Sequence, residues 1–265
     1  MARYKVIIAY DGTHFQGYQR QVKARTVQGV LEDALRQLNW DSRSILSAGR
    51  TDTGVHALGQ VVAFDLAWDR LDEDLRKSLN ALLPEDVAAR SVEQVEACFH
   101  PRYDAILRRY RYHIFCDPVR DPLRERYAWR IWPPVNVAEL KRAASYLVGE
   151  HNFAAFGTPP RVGDSTVRTI QKAGWHENGF SQARINEIIF EIEAESFLYH
   201  MVRRLVYWQV LIAQERYKVD NLLFHLEHPG QRGLPEYAAI QGLSPACGLV
   251  LLEVCYPNGA DGGEL

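Results

Sequence analysis

The chain opens on an alternating run of β-branched and aromatic residues, Tyr4-Lys5-Val6-Ile7-Ile8-Ala9-Tyr10, and breaks at Asp11-Gly12, a dipeptide that favours a tight turn. This pattern predicts a strand. From Thr26, whose hydroxyl suits a helix N-cap, apolar residues recur at Val27, Val30, Leu31, Ala34, Leu35 and Leu38, the spacing of one helical face. Ser44 to Ala48 and Gln60 to Leu66 read as strands separated by a glycine-bounded loop. Leu71 to Leu83 reads as a helix ended near Pro84, and Val87 to Val95 as a further strand. The order is β-α-β-β-α-β.

A similar order recurs downstream. It comprises a strand at Arg108 to Phe115, a helix at Val137 to Val148 closed by Gly149, and strands near Thr166 to Ile170 and Ile188 to Glu193. A long helix after Ser196 and a final strand, Leu249 to Tyr256, complete it. The doubling predicts an α+β chain of two related halves, 1–107 and 108–257. Gly157 to Asp164, rich in proline and glycine, reads as a long loop in the second half, and the polar, glycine-rich residues 258–265 read as a flexible tail.

Composition narrows the function. With 265 residues, 47% of them hydrophobic and 24% charged, the chain can bury a large core, which excludes a disordered or coiled-coil protein. The formal net charge of -2 offers no bulk basicity, so a nucleic-acid partner would have to be held by a local patch. The four cysteines form no C-x-x-C pair, which argues against a disulfide framework or a cysteine zinc site and fits a reducing compartment. The most apolar stretch, Leu205 to Ala213, is interrupted by Gln209 and is far short of the roughly 20 residues that cross a bilayer. The opening residues show no signal-peptide core, so the expectation is a soluble cytoplasmic protein without membrane partners. Signatures of zinc proteases, P-loops, dinucleotide folds and serine hydrolases are missing, and His56, His100, His151 and His200 lack partners at metal-ligand spacing. The expectation is therefore no metal and no nucleotide cofactor.

Three polar clusters remain. Ser47-Ala48-Gly49-Arg50-Thr51-Asp52-Thr53-Gly54-Val55-His56-Ala57 is a loop bracketed by glycines that permit sharp turns and close approach to a ligand. It sets Arg50 two residues from Asp52. The pair can be an Asx turn with a solvated cation, or a guanidinium that keeps a reactive carboxylate ionised and aimed. The stretch from Arg102 to Arg130 holds eight arginines against four acids, a local +4, interleaved with Tyr103, Tyr110, Tyr112, Phe115, Tyr127 and Trp129. Cations for phosphates and flat rings for bases are the ingredients of RNA binding. Within it, strand alternation puts Tyr110, Tyr112 and Ile114 on one face and Arg109, Arg111 and His113 on the other. In the third cluster, Ser196 to Arg204, Arg203 and Arg204 lie near a helix start, where a cation is better placed beside an anion.

These stretches together resemble the transfer-RNA pseudouridine synthases that act on the anticodon stem and loop, the bacterial TruA type. The likeness runs through Tyr10-Asp11-Gly12 with Phe15 to Gln21, Gly49 to Ala57, Asn80 to Pro84, Arg108 to Tyr112, Gly149 to Phe153, Ser165 to Ile170 and Phe197 to Arg203. The resemblance implies an α+β fold whose two halves form one largely antiparallel mixed sheet flanked by helices, with a cleft between the halves. It implies Asp52 as the catalytic aspartate, Arg50 as its charge partner and Tyr110 as the tyrosine that meets the target base. Arg109, Arg111, Arg203 and His56 would line the RNA site. It further implies a homodimer, a tRNA anticodon arm as partner, uridines at roughly positions 38 to 40 as targets, and no cofactor. Asp52 would either attack the nucleoside or remove a ribose proton. A non-catalytic RNA-binding or chaperone protein on the same scaffold, and a glycosidase that releases free base, are the competing readings. Where the family has Asn and Gly after its M-V-R run, this chain has Arg204 and Tyr207, so the contacts of that helix are expected to differ. Tyr18 stands where a tryptophan is usual.

Overall fold

The opening alternation forms β1 (Ala2–Tyr10), with Tyr4, Val6, Ile8 and Tyr10 buried, and the Asp11 carboxylate accepts the Thr13 N–H to turn the chain. Thr26 Oγ1 accepts the Gly29 N–H at 3.2 Å and caps α1 (Val27–Gln37). There follow β2 (Leu46–Ser47), β3 (His56–Leu66), α2 (Asp72–Leu82) and β4 (Val87–Val95). The second region contains β5 (Leu107–Cys116), β6 (Trp129–Ile131), α3 (Val137–Ser145), β7 (Gly149–Asn152), β8 (Val167–Gly179), β9 (Asn186–Ala194), α4 (Met201–Ala213) and α5 (Val219–Glu227). The last element is β10 (Leu249–Cys255). This computed structural model describes residues 1–179, 186–229 and 239–257; the tail expected at 258–265 lies outside them.

The chain divides into two compact units. One is Met1–Arg108 with the final strand from Val250, and the other is Arg109–Leu249. In the first, β1 pairs antiparallel with both β3 and β4, while β10 pairs parallel with β3 (Val250 with His56, Leu251 with Ala57) and β2 lies antiparallel on the same strand. β3 is buried along most of its length, and its apolar centre is Val61-Val62-Ala63-Phe64. In the second unit the strand order is β5-β9-β8-β7, with β8 antiparallel to both neighbours and β6 parallel to β5. Each unit thus repeats one arrangement: an opening strand beside a long strand, which carries on its other edge the strand that precedes it. The α+β class with two related halves and largely antiparallel strands is as expected.

Boundaries depart from the pattern in identifiable ways. The helix from Val137 stops at Ser145, because the Leu147 N–H bonds to Ala144 O in a tight turn and Leu147 is fully buried. Gly149 does not close that helix; it opens β7, with φ +111°. The expected long helix after Ser196 is two helices. Ser196 to His200 is irregular, His200 has φ +66°, and α4 and α5 are parted at Glu215, φ +59°, where Glu215 and Arg216 N–H groups close onto Ile212 and Leu211 carbonyls. β8 runs well past Ile170, to Gly179, because its partner β9 continues with it. The strand expected over Ser44 to Ala48 contracts to two residues.

Candidate active site

The loop from Gly49 to Val55 connects β2 to β3, and the segment after β1 supports it from beneath. Tyr10 Oη and Thr51 Oγ1 lie 2.8 Å apart in a buried hydrogen bond, and the Tyr18 N–H donates to Thr51 O at 3.0 Å. Gln60 Nε2 donates to Gly49 O at 3.1 Å, and the buried Arg108 Nη2 donates to Ala48 O at 2.8 Å. The turn is closed by the Val55 N–H donating to Asp52 O at 3.1 Å, with Gly54 at φ +78°. A Cβ on Gly12 would stand 2.0 Å from Val55 O, and one on Gly17, itself at φ +85°, 3.0 Å from Thr51 O. The Asp11-Gly12 and Gly17-Tyr18 stretches and the aspartate loop are therefore a single fitted assembly, which explains why both motifs occur in one chain. Tyr18 is fully buried under the loop, and burial raises its phenol well above the usual range.

Within this loop Asp52 is half-buried, between a buried Thr51 and an exposed Thr53. Arg50 is exposed. His56 is buried; its Nδ1 accepts the Gly12 N–H at 3.0 Å and lies 3.1 Å from Asp11 Oδ1, so it fastens the supporting turn from inside the protein. Beneath the loop, the fully buried Glu32 of α1 accepts hydrogen bonds from Arg20, Gln28 Nε2 and the Ile45 N–H, which ties the helix to the strand leading into the loop.

In the second unit, β5 carries the other expected residues. Tyr112 and Ile114 are fully buried, and Tyr110, on the same face, is half-buried with its ring edge-on to Phe197 at 5.2 Å. On the opposite face, Arg109 Nε bonds to Glu193 Oε1 at 2.9 Å, Arg111 Nη2 to Glu191 Oε1 at 2.7 Å, and His113 Nδ1 lies 2.8 Å from Glu187 Oε1. Lys172 of β8 reaches Glu191 and Glu193 at 3.7 and 3.6 Å. Burial acts to raise the Glu191 carboxyl, but the Arg111 hydrogen bond and charge outweigh it and leave it below the usual carboxylate range. The His113 bond likewise holds Glu187 low. Arg203 Nε donates to Ser244 O at 2.8 Å. The alternation read along this strand is thus present, and its cations are set in a ladder of glutamates that sequence reasoning did not pair with them. The spacing of Glu187, Glu191 and Glu193 on one strand face was the available signal.

The helix departures have a local explanation. Tyr207 stacks on Trp129, with ring centroids 6.1 Å apart, and its ring lies against Gly242, where a Cβ would stand 2.1 Å from it. A larger residue on α4 is accommodated by a glycine opposite. Among the described residues no group of His, Cys, Asp and Glu is arranged to hold a metal ion, and no helix is long and apolar enough to cross a membrane.

The family described as tRNA pseudouridine synthase matches residues 6–104 and 143–257, and the chain belongs to that family. It is 39% identical to the tRNA pseudouridine synthase A of Lacticaseibacillus casei, over 97% of this chain and 100% of that protein. It is 37% identical to the same-named protein of Brevibacillus brevis over 97% and 100%, and 35% identical to that of Exiguobacterium sp. over 97% and 98%. The family's reaction is an isomerisation, the conversion of uridine to pseudouridine in tRNA.

Proposed function

We propose that Asp52 is the catalytic aspartate and that the substrate uridine lies in the tRNA anticodon arm, at roughly positions 38 to 40. The reaction breaks the bond from N1 to C1′, turns the bound uracil and joins C5 to C1′; the C5 proton leaves to water and N1 gains one. An ionised carboxylate beside the nucleoside serves either route, by attack on the nucleoside or by removal of a ribose proton. The observation that supports this reading is the loop itself: Thr51, next to Asp52, is fixed by Tyr10 and by the Tyr18 backbone, so the carboxylate projects from a backbone that does not need to reorganise.

Tyr110 is the proposed partner of the extruded uracil, its ring set by Phe197. Arg109, Arg111 and Arg203, each already braced by a glutamate or a carbonyl, are the proposed phosphate contacts, and His56 acts by holding the supporting turn. Arg50, in solvent on the free protein, is proposed to close on the carboxylate or a neighbouring phosphate when RNA fills the site. A homodimer working in the cytoplasm belongs to the same proposal; the four free thiols fit that compartment. Sedimentation of the purified chain at twice 30.3 kDa is the expected result.

The deciding experiment uses tRNA carrying tritium at uracil C5. Wild type is expected to release label to water, Asp52→Asn to release none while still binding tRNA, and Tyr110→Phe to bind but turn over slowly. Full release by Asp52→Asn overturns the assignment. Binding without release by the wild type would instead favour a non-catalytic RNA-binding protein.

A further inference from the structure

The turn at 99–104, between β4 and β5, is built more firmly than a surface connection requires. Tyr256 Oη donates to Pro101 O at 2.7 Å, Arg3 Nη1 to Phe99 O at 3.0 Å, and Arg108 Nη2 to Arg102 O at 3.0 Å. Phe99 packs on Tyr256 with centroids 5.1 Å apart, the Asp104 carboxylate accepts the His100 N–H at 2.8 Å, and the Tyr103 and Asp104 N–H groups donate to His100 O. These bonds fix the backbone while leaving the side chains outside. Tyr103 is 74% exposed, Arg102 is exposed, and the His100 ring lies against Tyr103 at 4.3 Å with its Nδ1 accepting the Arg102 N–H. The Arg102 guanidinium stands 5.9 Å from the centre of the Tyr103 ring. A large ring held in water on an immobilised turn, with a stacked imidazole and a guanidinium beside it, is poorly explained by stability alone.

Its position supplies the reason. The Arg108 nitrogen that holds Arg102 O also holds Ala48 O, at the root of the Asp52 loop. One buried guanidinium therefore touches both the turn and the root of that loop, which makes the turn a near neighbour of whatever binds there.

We infer that His100, Arg102 and Tyr103 form a second RNA contact: an unpaired nucleotide of the tRNA stacks on the Tyr103 and His100 rings while its phosphate meets Arg102. The inference rests on the tRNA reading of the Asp52 loop but concerns binding, so it is tested apart from catalysis. Stacking is indifferent to base identity, which suits an enzyme that recognises RNA shape. The Asp104 carboxylate is held on the turn's own backbone, where it accepts the His100 N–H.

The test is equilibrium binding of an unmodified tRNA transcript across a salt series, with the Asp52→Asn chain as parent so that turnover plays no part. Tyr103→Ala is expected to weaken binding about ten-fold and Tyr103→Phe to restore it, since only a flat ring is needed. Arg102→Ala should make the slope of log affinity against log salt shallower by about 0.7 to 0.9, the loss of one phosphate contact. In chains retaining Asp52, the Tyr103→Ala change should raise KM for tRNA more than it lowers kcat. Unchanged affinity and salt slope in both variants, with circular dichroism showing the native fold, overturn the inference. So does a change in oligomeric state with RNA affinity intact, which would make the turn a contact between copies of this chain. Loss of tritium release by the wild type would overturn only the catalytic reading.

Discussion

The loop that carries Asp52 and the strand that carries Tyr110 are both rigid, but by different means. The loop is held by a phenol, a hydroxyl, a carboxamide, the Arg108 guanidinium and backbone amides, together with two glycines whose missing side chains let the backbones touch. The strand is fixed by packing of Tyr112 and Ile114 on one face and, on the other, by two arginine–glutamate ion pairs and a histidine–glutamate hydrogen bond. The difference is one of chemistry. The loop's anchors end on hydroxyl and carbonyl oxygens, so they fix it by hydrogen-bond geometry more than by paired charge. Arg109 and Arg111, like charges on one face of a strand, would repel one another, and the glutamates that they bond let them coexist.

The largest expected effect is a strike at the close approach. In Gly12→Ala the new Cβ would stand 2.0 Å from a backbone oxygen that cannot rotate away, so the loop or its support must shift. A loss of about 2 kcal/mol or more, seen as a fall of roughly 5 °C in the melting temperature, is expected together with near-complete loss of tritium release. Gly49→Ala is the matched control: nothing lies within 4 Å of that Cβ, and both stability and activity should stay near wild type. If Gly12→Ala matched its control, the contact would not be what positions the loop.

Acid should act on the strand. Glu187 and Glu191 have carboxyls below the usual range in the folded chain. Groups lowered by folding stabilise it above their unfolded pKa, about 4.3 for glutamate, and that contribution fades as pH falls through the folded values. Thermal melts should therefore drop by a few degrees as pH is lowered through and below that range. Glu187→Gln with Glu191→Gln should start lower at pH 7 and converge on wild type in acid. A wild type that gained stability on acidification would remove the ladder as a stabilising element.

Much of this was legible in the sequence, and what was not has a physical cause. Thr26, the α1 periodicity and the alternation along β5 are short-range signals, and each element formed where its residues indicated. The helix after Ser196 failed as a reading because left-handed residues at His200 and Glu215 are neither glycine nor proline, so nothing local marked the breaks. Gly149 looked like a helix stop because a glycine with positive φ serves a strand entry equally well. Motif alone marks Asp52 and Tyr110 as candidates, whereas the contacts that anchor the Asp52 loop are hidden: Tyr10 meets Thr51, and Arg108 meets Ala48, across sequence separations that no periodicity spans.

The smallest effect is the most discriminating about the ladder. Arg111 and Glu191 are bonded twice, Nε at 3.1 Å and Nη2 at 2.7 Å to one carboxylate oxygen, yet about a third of the arginine side chain remains in water. Solvent screening limits such a pair to a coupling of about 0.5 to 1 kcal/mol, measurable by a double-mutant cycle with Arg111→Gln and Glu191→Gln. The coupling should shrink as salt is raised, whereas the matching cycle of Tyr10→Phe with Thr51→Val should be indifferent to salt because neither partner is charged. Glu191→Gln alone should also tighten tRNA binding at low salt, by releasing Arg111 from its internal partner, even as it lowers stability. If that variant bound tRNA no better, Arg111 would be a structural cation of the sheet, and the phosphate-contacting role proposed for it would fall.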